Sequence, residues 1–357
     1  MIELEKRKKA FVELGQVLGD VSSNELKVYQ GTKLESAVAD LDRIIKESYH
    51  YNGWFTEEMV RYMIGALGIS LDEASLGRWL DAYSLRLATN HLPKRIAVIM
   101  AGNIPAVGFH DFLTVLMSGK KLLARLSSDD EQLMPAIARI LTLLQPEFEP
   151  MICFTKEKLT DFDAVIATGS NNTSRYFDYY FGKYPNIIRK NRNGIAVLDG
   201  AETETELERL MDDIFLYFGL GCRNVSKLYV PEGYDFTSIL EVAGKKEEFI
   251  KHHKYFNNYE YNKAIFLINN TPHLDAANLI LVENEQIASP VSVVHYEYYK
   301  DEEQLNGLIR AKNEDVQCIV SPMGHLENSL PFGKSQQPQL WDYADGIDTM
   351  AFLIGLD

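Results

Sequence analysis

The stretch from Arg95 to Leu126 constrains the fold more than any other. RIAVIMA (95–101) is a continuous apolar run, the pattern of a strand buried on both faces of a parallel sheet. Gly102-Asn103-Ile104-Pro105 breaks it as a turn, residues 106–118 return to a helical period, and KLLARL (121–126) reads as the next strand. A strand, a helix and a parallel strand in succession form the crossover unit of doubly wound α/β sheets. A helix at 132–145, strand-like MICF (151–154), and AVIAT (164–168) ending in Gly169-Ser170 extend the alternation. Sheets of this kind hold ligands at the carboxyl ends of their strands.

Ahead of this unit, segments around 3–18, 33–49, 56–67 and 72–89 have helical spacing and little recognisable chemistry. A second alternating unit starts near Asn193. GIAVL (194–198) reads as a strand, after which Leu207, Leu210, Met211, Ile214, Phe215 and Phe218 fall on one helical face. Gly219 and Gly221 stop that helix, and VSKLYV (225–230) is again strand-like. Residues 237–255 read as a long helix and 301–312 as another. AIFLI (264–268), LILVE (279–283), SVVHYEY (292–298) and QCIVS (317–321) read as strands. The expectation is an α/β protein with one domain over 1–192, a second over 193–325, and a C-terminal arm over 326–357 that contacts another subunit or docks on the first domain.

Composition narrows the function classes. The chain has 357 residues, room for two or three domains, and 46% hydrophobic with 24% charged residues excludes global disorder. A net charge of −15 repels phosphate backbones and anionic lipid, so nucleic acid is not an expected partner, although a few local cations suffice for a small anionic cofactor. No apolar run is long enough to span a bilayer, and MIELEKRKKAFVELGQVL reads as a charged amphipathic helix rather than a signal peptide. The expected location is cytoplasmic. Three scattered cysteines, Cys153, Cys222 and Cys318, make neither a disulfide framework nor a metal knuckle.

Several positions have the chemistry of a site. Cys222, in FGLGCRNVSKLYV, lies between a helix ended by glycines and a buried strand, where a ligand can approach the sulfur. The competing meaning is a buried structural cysteine, and a preceding helix C-terminus does not lower a thiol pKa. Asn103, after a buried strand, suits an oxyanion donor, against the ordinary use of Asn in turns. Arg125, Ser127 and Ser128 close a strand with a cation and two hydroxyls, and Gly169-Ser170 ends another; both suit a phosphate or ribose, and both also occur without ligands. Neither GxxxxGK[ST] nor GxGxxG is present: Gly333-Lys334-Ser335 lacks its partner glycine, with Asn328 in that place. His252 and His253 adjoin and face apart, HExxH is missing, and no metal site is expected.

Together these residues resemble the aldehyde dehydrogenase superfamily and, within it, the bioluminescence-type acyl-CoA reductases that make fatty aldehydes. The likeness covers roughly residues 94–357. The family's asparagine loop is similar to AGNIPAVGFHDFLTVLMSGKKLLARLSS, with the oxyanion asparagine at Asn103. Its Lys-Pro-Ser-Glu stretch falls on Arg125-Leu126-Ser127-Ser128, its Gly-Ser turn on Gly169-Ser170, and its nucleophile loop on Gly219 to Cys222. ENEQIASPVSVVHYEYYKDEEQL is similar to the Glu-Glu-Ile-Phe-Gly-Pro-Val segment and the helix after it, and LPFGKSQQPQLWDYADGIDTMAFL to the Pro-Phe-Gly end piece.

The resemblance implies an aldehyde dehydrogenase-like fold: a Rossmann-like cofactor domain, an α/β catalytic domain and a C-terminal arm. It implies a Cys222 nucleophile, an Asn103 oxyanion donor and a cofactor held by Arg125, Ser127, Ser128, Gly169, Ser170 and Gln286. Departures from the family pattern refine this. The hydrolytic family's glutamate base, counted back from Cys222 without gaps, falls at Ile188, and IIRKNRNG has no carboxylate. Without a base to activate water, an acyl-enzyme survives until a hydride or another acceptor reaches it. The nicotinamide-ribose glutamate falls at Gln286, beside Glu285. Ser128 replaces the adenosine-ribose glutamate, removing a carboxylate that would repel a 2′-phosphate and so implying NADPH. The implied reaction is reduction of an acyl-CoA, or of an acyl group handed over by a protein donor, to an aldehyde. An acyl-phosphate reductase and a non-catalytic binding protein are the alternatives. The arm resembles the family's subunit-contacting segment, which implies a homodimer or higher homo-oligomer.

Overall fold

Five parallel strands make the sheet of the first unit: β1 (Arg95–Ile99), β2 (Lys121–Arg125), β3 (Ile152–Thr155), β4 (Ala164–Thr168) and β5 (Asn186–Arg189), in spatial order β3-β2-β1-β4-β5. The source is a computed structural model that describes residues 2–87, 94–169, 171–324, 326 and 328–356, leaving aside the side chains of 171–174. The chain steps from β1 to β2 to β3 in one direction and resumes with β4 and β5 on the other side of β1. That reversal opens a crevice at the carboxyl ends of β1 and β4, the ligand position of doubly wound sheets.

The sheet is apolar on both faces, as its uninterrupted strands require. Ile96 and Val98 of β1 join a core with Phe11, Leu14, Leu41, Phe112 and Ile137. Ala97 turns to the other face with Leu123, Val165 and Ala167. The N-terminal helices Leu4–Ser22, Glu35–Tyr51 and Glu57–Ser70 contribute to the first of these cores.

By packing, the chain divides into residues 1–190 with 339–357, and residues 191–338. The segment read as one arm from 326 onward therefore parts at 338. Its final piece belongs to the first unit: Leu340, Met350, Leu353 and Ile354 are buried in that core. Trp79 Nε1 donates to Tyr343 Oη at 2.7 Å. Buried Arg189 grips Asp111 at 2.7 and 2.9 Å and Thr349 at 2.9 Å, tying the end of β5 to the helices Phe109–Met117 and Thr349–Ile354.

The second unit is built on seven strands: β6 (Asn193–Val197), β7 (Val225–Pro231), β8 (Leu274–Asp275), β9 (Ile280–Glu283), β10 (Val293–Tyr299), β11 (Val316–Ser321) and β12 (Ser329–Pro331). Their order is β12-β11-β6-β7-β10-β9-β8, parallel except between β8 and β9. AIFLI is not a strand: it ends the helix His253–Ile268, where Leu267 and Ile268 are 59% and 78% exposed. Of this run Phe266 packs against Ile280 and Val282 of β9 and Val293 of β10, a one-sided contact that suits a helix and not a strand buried on both faces. The expected helix over 237–255 is broken into Thr237–Gly244, Glu247–Ile250 and the start of His253–Ile268.

Candidate functional site

Cys222 stands at the tip of a turn that its own sequence closes twice. Asn224 N–H donates to the Gly221 carbonyl at 3.1 Å, and Gly221 N–H donates to Asn224 Oδ1 at 2.8 Å. Cys222 between them is exposed, whereas Asn224 is buried. The Asn224 amide then donates to the carbonyls of Asp213 (3.1 Å), Ile214 (3.3 Å) and Leu216 (2.8 Å). Those carbonyls lie at the C-terminus of the helix Glu204–Phe215, which begins with a capping box between Thr203 and Glu206.

The chain reaches the turn through three left-handed residues, Tyr217, Phe218 and Gly219, with φ of 52°, 58° and 76°. Glycine takes this conformation freely, while each aromatic residue costs about 1–2 kcal/mol. Burial offsets that strain: the Phe218 ring lies 4.2 Å from His252 and 5.6 Å from Phe249, centroid to centroid. On the far side the loop meets β6 at Gly194, whose N–H donates to the Asn224 carbonyl at 2.9 Å. A β-carbon at 194 would fall 2.6 Å from the Arg223 carbonyl oxygen, so only glycine fits there without a shift. Cys318 on β11 directs its thiol to that same carbonyl at 3.7 Å; burial pushes this thiol up to about 12, with neighbouring Cys222 adding to the rise.

Gln286 belongs to the same unit and is exposed. Its segment is pinned from the sheet below. Ser226 Oγ donates to the Ile287 carbonyl at 2.7 Å, His295 Nδ1 bonds the Gln286 carbonyl at 2.9 Å, and Lys227 Nζ donates to the Asn284 carbonyl and pairs with Glu297 at 2.7 Å. Burial lowers the pKa of Lys227, against the pull of Glu297, and burial likewise lowers that of His295. The segment carrying Gln286 thus hangs on β7, the strand that follows Cys222. Asp213 extends the network: its buried carboxylate accepts from the N–H groups of Gly333 (2.6 Å) and Ser335 (2.9 Å), holding the Pro-Phe-Gly turn, and burial pushes it up to about 6.

In the first unit, Asn103 is exposed on the loop that leaves β1. Two contacts fix that loop. Buried Asp130 accepts from Ala106 N–H at 2.7 Å and from Leu133 N–H at 3.3 Å, holding Ala106 at a φ of 49°. Gly102 lies against Ser127 so closely that a β-carbon would fall 2.5 Å from the hydroxyl oxygen. Ser127 Oγ also accepts from Asp129 N–H at 3.2 Å, so this side chain supports the loop. Arg125 is exposed at the end of β2, level with Ile99 of β1. Ser128 lines a cavity of about 300 Å³ with Tyr51, Asn52, Phe55, Asp129 and Glu131. Gly169 follows β4, and Ser170 lies outside the described residues. Asn103, Arg125, Ser127, Ser128 and Gly169 are thereby brought to the carboxyl edge of one parallel sheet. Ile188 lies on β5, in register with Ala167. Among the described residues, no group of three or more His, Cys, Asp or Glu is arranged to hold a metal.

Burial outweighs the two backbone hydrogen bonds on Asp130 and pushes its carboxyl up to about 6. A carboxyl raised in the folded state contributes stability that is fully present below its unfolded value of about 4 and is lost as pH rises through about 6. Relative to Asp130→Ala, the wild type is therefore expected to gain on the order of 1–2 kcal/mol between pH 7 and pH 5. Urea unfolding of both proteins at the two pH values measures it; a stability difference that does not change with pH would contradict the assignment.

Asn224, Asp130, Asp213, Lys227 and His295 are not signalled by the sequence. Each is a polar residue whose contacts come from burial, and a polar residue in a loop, helix or strand reads the same in sequence whether it is buried or solvated.

No protein-family model matches the chain, and no curated protein is similar to it in sequence. Solved structures are similar in fold. An indole-3-acetaldehyde dehydrogenase from P. syringae, in complex with NAD+, superposes with a TM-score of 0.61 at 12% identity, over 94% of this chain and 75% of that one. Aldehyde dehydrogenase 21 from Physcomitrella patens, in complex with the product succinate, gives 0.58 at 14% identity, over 87% and 72%. An E. coli NADP-dependent enzyme gives 0.59 at 11% identity, over 89% and 76%. At such identities the likeness is one of fold, and the chain has the aldehyde dehydrogenase fold.

Proposed function

We propose that this protein is an acyl-CoA reductase that carries its acyl group on Cys222 and uses NADPH. One observation carries the reading: an exposed cysteine at the tip of a doubly closed turn, in an aldehyde dehydrogenase fold whose expected water-activating position is Ile188. The Cys222 thiolate attacks the thioester carbonyl, the bond to the CoA sulfur breaks, and the acyl group remains on Cys222. Asn103 donates to the oxyanion as it forms. A reduced nicotinamide, when bound, supplies the hydride that turns the acyl group into an aldehyde.

The residues at the carboxyl edge of the first sheet fit such a cofactor. Gly102 keeps the β1 loop low, Arg125 offers an exposed planar cation, and the cavity beside Ser128 is polar. Asp129 and Glu131 line that cavity too, so the neutral Ser128 alone does not favour a 2′-phosphate, and the preference for NADPH rests on Arg125. A charge-assisted pair contributes about 1.5–3 kcal/mol. Arg125→Ala is therefore expected to weaken NADPH binding roughly ten- to a hundredfold and leave NADH binding nearly unchanged. Fluorescence titration of both reduced cofactors decides it: equal losses would take the 2′-phosphate away from Arg125, and no loss with either cofactor would remove Arg125 from the site.

With aldehyde and NADP+, the reverse reaction is expected to require CoA as acyl acceptor. A positioned general base is worth about 10²–10⁴ in rate, and the isoleucine at 188 can neither take a proton nor orient water. Free acid released at a comparable rate without CoA would overturn this reading. The acyl donor in this reading is an acyl-CoA or acyl-protein, and we propose a cytoplasmic homodimer or higher homo-oligomer. Because the apolar C-terminal residues are buried within the first unit, the dimer rests on the family resemblance alone, and size exclusion tests it.

A further inference from the structure

We infer that Asn224 is the positioning residue of the nucleophile. The inference deepens the proposed function and rests on it for its catalytic readout only. Asn224 does two things at once. Its Oδ1 takes the Gly221 N–H and shuts the turn that presents Cys222. Its Nδ2 occupies three carbonyls, those of Asp213, Ile214 and Leu216, at the negative end of the helix immediately before that turn. A helix C-terminus ahead of a cysteine disfavours the thiolate, and one buried amide both satisfies these carbonyls and fixes the sulfur's mount. The demand on this residue is specific: one acceptor and two donors on a two-carbon stem, buried to 1% exposure. Among the described residues, the charged and titratable groups facing the loop are Arg223 within it, Asp213 on the helix, Cys318 on β11, and His252 and Tyr255 against the Phe218 ring, and none of them replaces an amide that donates and accepts together.

The same unit supplies a matched control. Asn278 is also buried and also donates to two carbonyls near a helix end, Ala243 (2.6 Å) and Lys246 (3.0 Å), without bonding to the Cys222 turn. Asn224→Ala, Asn224→Asp and Asn278→Ala are made in the full chain, with the folded fraction of each fixed by circular dichroism and urea unfolding. Two rates are then measured on folded protein. One is alkylation of Cys222 by iodoacetamide across pH, resolved by peptide mass spectrometry; the other is single-turnover acylation by an acyl-CoA. Asn224→Ala is expected to move the alkylation profile upward by roughly half a pH unit. It is also expected to slow acylation about 10- to 100-fold without changing acyl-CoA affinity. Asn278→Ala is expected to lose stability and change neither rate. If Asn224→Ala does not fold, Asn224→Asp carries the test, since it keeps the acceptor for Gly221 and loses the donors. Equal losses in the Asn224 and Asn278 variants, or wild-type rates in the former, overturn the inference. If the wild type forms no acyl-enzyme while alkylation still separates the two asparagines, the positioning role stands and the acyl-CoA reading falls.

Discussion

Replacement of Cys222 by alanine is expected to remove acyl-enzyme formation and lower NADPH oxidation by at least about 10⁴-fold, because no other group in the turn can form the thioester. The exposed side chain has little packing to lose, so thermal stability should change by no more than about 0.5 kcal/mol. The other two cysteines make the test internally controlled. Cys153 is exposed on β3 of the other unit, and Cys318 is a half-buried residue whose thiol desolvation pushes up to about 12, hence protonated and inert at neutral pH. Cys153→Ala should be neutral. Cys318→Ala should cost about 1 kcal/mol of stability at most and leave turnover within a few-fold. Steady-state NADPH oxidation and calorimetry of the three variants read both quantities. Appreciable reductase activity in Cys222→Ala would end the covalent mechanism.

The second large effect concerns Asn103. Removing one oxyanion donor typically lowers turnover by 10²–10³, roughly 3–4 kcal/mol of transition-state stabilisation. Asn103→Ala is expected to show that loss in the acylation rate, with NADPH affinity nearly intact. Two of the contacts that hold the loop do not involve the side chain at 103. Asp130 holds Ala106, and Gly102 packs on Ser127, whichever residue stands at 103. An effect of only a few-fold would return Asn103 to an ordinary turn residue. Rapid-quench acylation with the variant and wild type distinguishes the outcomes.

What was legible in the sequence followed from burial on two faces. RIAVIMA, KLLARL and AVIAT are mostly apolar, and they became the central strands β1, β2 and β4 with the same starts and with ends at most two residues earlier. Strands with less burial were missed. Asn186–Arg189 alternates and ends in an arginine that is buried only because Asp111 meets it, and β8 and β12 span two and three residues. AIFLI misled for the converse reason: only Phe266 of the run meets the sheet while Leu267 and Ile268 stay exposed, so strand-like residues remained in a helix. The candidate positions emerged because their residue types were unusual beside a strand end. Their supports did not, since nothing local separates the buried, four-bonded Asn224 from a solvated asparagine. The parting of the C-terminal segment at 338 was likewise hidden, because it depends on which core Leu340, Met350 and Leu353 enter.

The most direct measurement of the central claim is intact-protein mass spectrometry after incubation with a series of acyl-CoAs and no nicotinamide. The account predicts one added acyl mass, mapped to the peptide bearing Cys222, absent in Cys222→Ala, persisting in water and discharged as aldehyde when NADPH is added. An unmodified protein across the whole series, or an acyl adduct on another residue that NADPH discharges equally well, would contradict it.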